Sequence, residues 1–303
     1  MITAKSIIEK ADLSVSQLVN EGGYLLPEQS KKFYRMVIDQ PTLLKEIRTV
    51  SMSRPKMKID KVGFGQRILR KAPASGTALK EDERVRPQFG QIELDTDEFI
   101  AEVHIPYDVL EDNIEKENFT DTLLSLMAER VSLDLEELLI LGDTTSNDPY
   151  LASKDGVLQL AANQIDGSGI TAIDRTLFKT AIKAMPTRFL RNRPMMRFYL
   201  SHQNEVEYRD TLAQRNTELG DQMVKEVTEA YAFGVPVRPA AFMPNTHLLF
   251  TYPQNVILGI QRDIRIETDK DIRARVLIVV LTLRIDIKLE EPEAAVVVKD
   301  INV

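Results

Sequence analysis

The sequence predicts an α+β protein in which a long projecting β-hairpin is followed by one long helix, a mixed α/β unit and closing strands. Three observations predict it. Residues 92–105 alternate between two faces without either being cleanly apolar until the end. Residues 118–141 carry apolar side chains at spacings of three and four. Residues 256–303 are rich in strand-length apolar runs.

The hairpin comes first. Met52, Pro55, Met57 and Ile59 begin a strand-like segment with basic residues between them. Gly63, Gly65, Pro73, Gly76, Pro87 and Gly90 punctuate the middle. Ile92, Leu94, Thr96, Glu98, Ile100, Glu102 and His104 then share a face. About thirty irregular residues between the strands would be unusual inside a compact domain. A loop that finds its burial on a neighbour removes the difficulty.

The helix is the clearest element. Leu123, Leu124, Met127, Val131, Leu135, Leu138 and Leu139 recur on one side, with Asp121, Glu129, Asp134, Glu136 and Glu137 filling the rest. At about 1.5 Å per residue the segment is a rod of roughly 36 Å. Gly142 is expected to cap it.

The α/β unit spans about 155–255. Asp174 is placed to cap a helix running to Met185, with Leu177, Phe178, Ala181 and Ile182 inward. A strand at 197–200, a helix at 203–214, a polar stretch at 215–230 and a strand with a turn at 233–237 follow. The closing strands are expected at 256–260, 264–267, 273–289 and 294–298. Ahead of the hairpin, residues 1–21 read as an amphipathic arm ended by Gly22-Gly23, and 28–39 as a helix.

Composition bounds the function. The 303 residues are 43% hydrophobic and 28% charged, as in ordinary globular proteins. No cysteine is present, so disulfides and thiolate metal sites are excluded. No apolar run approaches the ~18 residues of a membrane span, and the N-terminus lacks the apolar core of a secretory signal. A net charge of −7 fits a uniformly basic nucleic-acid binder poorly.

That charge is uneven. Residues 51–90 hold ten Lys/Arg, among them Arg67, Arg70, Lys71, Arg84 and Arg86, against four acids. Residues 101–150 hold thirteen Asp/Glu, among them Glu129, Glu136 and Glu137, against Lys116 and Arg130. One reading is two solvated faces of opposite sign. The other is a basic element of one copy lying on an acidic element of the next, since complementary fields steer association. On that second reading these eight residues are candidate inter-subunit contacts.

Signals for catalysis are sparse. His104, His202 and His247 are far apart and form no metal-binding pair. Gly63-Phe64-Gly65 lacks the third glycine of a dinucleotide loop, and Gly167-Ser168-Gly169 lacks nucleophile-elbow spacing. Glu136-Glu137 could imitate paired acids, but nothing pairs an acid with a base. No catalytic residue, metal site or cofactor is therefore expected. An α/β enzyme with a spatially assembled site stays open as an alternative.

Six short segments resemble the major capsid proteins of tailed bacteriophages with the Hong Kong 97-type (HK97-like) fold. They are Gly22-Gly23-Tyr24-Leu25-Leu26-Pro27, Ile105 to Asp112, Glu137 to Asp143, Lys154-Asp155-Gly156-Val157-Leu158, Gly234-Val235-Pro236-Val237 with Met243-Pro244, and Arg284-Ile285-Asp286 with Pro292-Glu293-Ala294. They follow the family's order from about residue 20 to the C-terminus. Pro106 and Asp108 depart from the usual polar residues of the second segment.

The resemblance implies four parts: an N-terminal arm with its lead-in (1–48), an extended loop (49–105), a peripheral domain (106–145 and 256–290) holding the spine helix, and an axial domain (146–255 and 291–303). It implies a structural role, self-assembly through hexamers and pentamers into an icosahedral head enclosing double-stranded DNA without sequence-specific binding. It also implies a separate scaffolding protein, portal and decoration proteins as partners, no membrane, assembly in the host cytoplasm and residence in the virion. An encapsulin, the same fold used as a protein-filled compartment, is the nearest alternative.

Overall fold

The computed structural model describes residues 43–64, 67–69, 71, 84–107, 119–214, 229–261 and 265–302. The arm, the 28–39 helix and most of the polar 215–230 stretch lie outside these.

Two sheets and one hairpin carry the fold. The first sheet centres on the longest strand. β1 (Arg48–Met52), β2 (Lys56–Gly63), β3 (Gln88–Asp95) and β4 (Asp97–Pro106) lead into the helix α1 (Phe119–Leu141). The one-turn helix α2 (Val157–Leu160), β5 (Asn163–Asp166), α3 (Arg175–Ala184), β6 (Arg197–Leu200), α4 (His202–Ala213), β7 (Ala230–Ala232), β8 (Val235–Pro239) and β9 (Leu248–Thr251) make the middle. β10 (Val256–Gln261), β11 (Arg265–Asp271), β12 (Val276–Leu289) and β13 (Ala295–Lys299) close the chain.

In the first sheet β12 is bordered by β10 and β11 on one side and β4 on the other, with β1 parallel to β10. Its inner face, including Val279, Leu281, Leu283 and Ile285, packs with Met127, Ala128, Val131, Leu135, Leu138 and Leu139 of α1 in one core. The apolar spacing of α1 is therefore the seam with which it covers the sheet.

The second sheet runs β5-β13-β9-β6-β8-β7. Its second core gathers Phe178, Phe198, Tyr208 and Phe250, with Phe198 stacked on Phe250 at 4.5 Å between centroids and edge-on to Phe178 at 4.9 Å. Asp174 caps α3, accepting from the Thr176 and Leu177 amides. Ser201 caps α4 in the same manner. Phe233 and Gly234 take positive φ to turn β7 into β8, a conformation that glycine adopts freely.

Three expectations change. The alternation of 92–105 is not one strand. It breaks at Thr96, where the chain leaves its partner β2 and joins β12. The last long strand starts at Val276 and not Arg273, because residues 272–275 make the turn from β11 and Arg275 takes φ 56°. Gly142 ends α1 without a left-handed φ. Its amide donates to the Leu138 carbonyl, and the segment 154–156 crosses so closely that a Cβ would stand 2.4 Å from the Lys154 oxygen.

Candidate assembly interface

β2 and β3 pair from Lys56↔Asp95 to Gly63↔Gln88. The base of this hairpin is packed. Leu94, Met52 and Ile257 are buried together, with Ile59 and Ile92 against them. Gly259 leaves the room: a Cβ there would meet Met52 Sδ at 2.9 Å and Leu94 Cδ1 at 3.2 Å. Lys61 adds an ion pair with Glu291.

Among the described residues beyond the base, no apolar side chain of the hairpin is buried. Val62, Phe64, Ile68, Leu69 and Phe89 are exposed, Leu69 to 84% and Phe89 to 76%. Contiguous exposed apolar side chains of this size mark an interaction surface. Arg67, Lys71, Arg84 and Arg86 are exposed among them, so the end of the hairpin is both apolar and basic. Arg70 lies outside the described residues.

The acidic candidates do not stay together. Glu129 is exposed on α1 and Glu137 is half-buried. Glu136 is a correction: it is 2% exposed and offers no charge to a neighbour. Burial pushes its carboxyl above the usual range, while the backbone amides of Leu43 and Ala241 pull the other way. It ties the segment before β1 and the turn after β8 to the helix.

A different acidic surface appears on the outer face of the first sheet. The strand register sets three rows across β4, β12 and β11: Glu102–Val280–Glu267, His104–Ile278–Asp269 and Pro106–Val276–Asp271. Val276, Ile278 and Val280 form a half-buried apolar stripe with Glu267, Asp269 and Asp271 along one side and Glu102 on the other. Exposed Ile100 extends it. Sequence reading assigned no role to β11, and only the register brings its acids beside Glu102.

The hairpin root is the most polar part of the interior. The Thr96 amide and hydroxyl both donate to the Pro55 carbonyl at 3.0 Å. The Asp95 amide donates to the buried Asp286 carboxylate at 2.8 Å. Lys154 Nζ donates to the Asp95 carbonyl at 2.7 Å and lies 2.9 Å from Asp97 and 3.4 Å from Asp286. Desolvation lowers the Lys154 pKa, but the Asp97 and Asp286 carboxylates outweigh it and the net shift is upward. Arg284 pairs with Glu98 one row away. The Arg284-Ile285-Asp286 segment thus anchors the root of the hairpin.

No protein-family model matches the sequence. A curated protein of Bacillus subtilis (strain 168), "Putative prophage capsid protein YqbE", is 43% identical over 302 residues, covering 96% of each chain. The chain belongs to the prophage capsid protein family. This family member is a structural capsid protein with the HK97-like fold. Among solved structures it is similar to a chain of the satellite phage P4 procapsid including size determination (Sid) protein. That match has a TM-score of 0.66 at 17% identity and covers 99% of this capsid protein and 98% of the other chain. It is also similar to the holo-SrpI encapsulin complex from Synechococcus elongatus PCC 7942, with TM-score 0.55, 12% identity and 86% of each chain covered.

Proposed function

We propose that this capsid protein assembles with itself, through hexamers and pentamers, into an icosahedral shell that encloses double-stranded DNA. The hairpin is the extended loop, the α1–β12 body the peripheral domain and the six-stranded unit the axial domain. The shell forms in the host cytoplasm and resides in the virion. The role is not enzymatic, and scaffolding, portal and decoration proteins are its remaining partners.

The observation that carries the reading is the exposed apolar and basic surface of the described part of the hairpin end, of the kind that marks an interaction site. Its acceptor is the acid-rimmed stripe on β4, β12 and β11 of a second copy. Apolar side chains would meet the stripe, and Arg67 and Lys71 would meet Glu102, Glu267 and Asp269. Complementary charge around an apolar centre gives both specificity and rate. This moves the acceptor from α1, where Glu136 is withdrawn, to the sheet.

The test is a charge swap read by negative-stain electron microscopy and size-exclusion chromatography. Arg67→Glu/Lys71→Glu and Glu267→Lys/Asp269→Lys should each abolish shells, and combining all four substitutions in one chain should restore them. Shells from either variant alone would sink this contact. The likeness to an encapsulin supports a second reading, a protein-filled compartment. Double-stranded DNA within purified particles supports the phage head, and a protein cargo without DNA supports the compartment.

A further inference from the structure

We infer that Lys154 is a positioning residue for assembly, which fixes the direction in which the hairpin leaves the body. The inference rests on the reading that the hairpin reaches a second copy.

The covalent link alone does not fix that direction. At Thr96 the strand exchanges one ladder for another, from β2 to β12. Such an exchange is a point about which the hairpin could swing. Asp95, the last residue before it, is held on all three of its polar groups by three elements. Its amide donates to Asp286 on β12, its carbonyl accepts from Lys154, and its carboxylate accepts from Lys56 on β2 at 2.7 Å. Asp97, the first residue after it, is held by Lys154 again.

Lys154 is the piece common to both sides of the exchange. An ammonium has three protons. Here the ammonium donates to the Asp95 carbonyl and stands at ion-pair distance from the Asp97 and Asp286 carboxylates. The side chain is only 17% exposed and Asp286 is 0% exposed, so solvent screens that pair little. The oxygen of Asp286 nearest Lys154 has no hydrogen-bond partner, and Lys154 supplies the charge that balances it.

Lys154 is itself placed rigidly. It lies in the segment that crosses the end of α1, where the Gly156 amide donates to the Gly142 carbonyl at 2.8 Å. Gly142 and Gly156 allow this approach, since a Cβ on either would collide with backbone of the other segment. The ammonium therefore reports the position of the C-terminal end of α1 to the hairpin root. Hairpin and spine helix are held at one inclination, which lets the hairpin of every copy arrive at its neighbour's face at the same angle.

The test uses the absence of native cysteine. Spin labels at Lys58→Cys on the hairpin and Ser125→Cys on α1, both exposed and outside the proposed contact, give one distance distribution in the full chain. Lys154→Met should broaden that distribution, and the Asp95 amide should exchange about tenfold faster or more, because a bond to a charged acceptor is loosened. Asp97→Ala, a change at a half-exposed group, should give a smaller shift in the same direction. Lys154→Met/Asp286→Asn removes both charges and guards against misfolding of the single variant. It should fold, keep the broad distribution and assemble poorly. A narrow, parent-like distribution in this double variant overturns the positioning role, whatever its assembly. If the parent itself forms no shell under any condition, the shell reading falls, and the distance distribution still decides the role of Lys154.

Discussion

Asp95 and Asp286, 191 positions apart, are joined by a 2.8 Å hydrogen bond from the backbone amide of one to the buried carboxylate of the other. The bond ties the hairpin to the longest strand of the molecule. Asp286→Ala is expected to leave that amide unbonded and Lys154 without its buried counter-charge, and to cost about 3–5 kcal/mol. Asp286→Asn keeps an acceptor and should cost less. Urea denaturation followed by circular dichroism orders the two, and equal losses would mean that the charge is immaterial.

Gly142→Ala should destabilise the subunit by about 1–3 kcal/mol through overpacking. The new Cβ would stand 2.4 Å from the Lys154 carbonyl and 2.8 Å from the Gly156 nitrogen, and both are backbone atoms that cannot rotate away. A melting temperature equal to the parent's would refute this account of the helix end.

Glu136 predicts the sign of a pH effect. Burial raises its carboxyl pKa in the folded state above the unfolded value. The unfolded chain then holds fewer protons in the window between the two values, so stability falls as pH rises through it. Glu136→Gln should remove that part of the slope and gain stability relative to the parent at the upper end of the window. The measurement is the melting temperature of both proteins from pH 4 upward, and a parallel pair of curves would contradict it.

Leu69→Ser and Phe89→Ser should separate folding from assembly. Both side chains are exposed, so subunit stability should change by no more than about 0.5 kcal/mol. Shell yield should drop steeply in the same samples. Unaltered yield in the double variant would mean that the hairpin end is not buried in the assembled shell.

Much of this was legible in the sequence, and the reasons differ by element. The helix Phe119–Leu141 was readable because its apolar spacing is set by one continuous sheet face. The Asp174 cap was readable because it acts on its own next residues. The break at Thr96 was not, because Ile92, Leu94, Thr96 and Glu98 keep alternating while the partner strand changes, and a change of partner leaves no local trace. Glu136 reads as a surface acid for a related cause. The amides that face it belong to Leu43 and Ala241, about a hundred residues away on either side. Lys154 reads only as part of a family-like segment, because the three groups around its ammonium come from two distant stretches.

Both legs of the hairpin end in the same sheet, and this has a mechanical consequence. One leg continues through Thr96 into β4, which is paired with β12 over ten residue pairs. The other leaves β1, which is paired with β10. The component of any tension on the hairpin that runs along these strands would enter both ladders at once. The hydrogen bonds of each ladder would then be strained together in shear, and not opened one after another like a zip. Rupture under that component would require both ladders to slip, so the load is shared between β12 and β10.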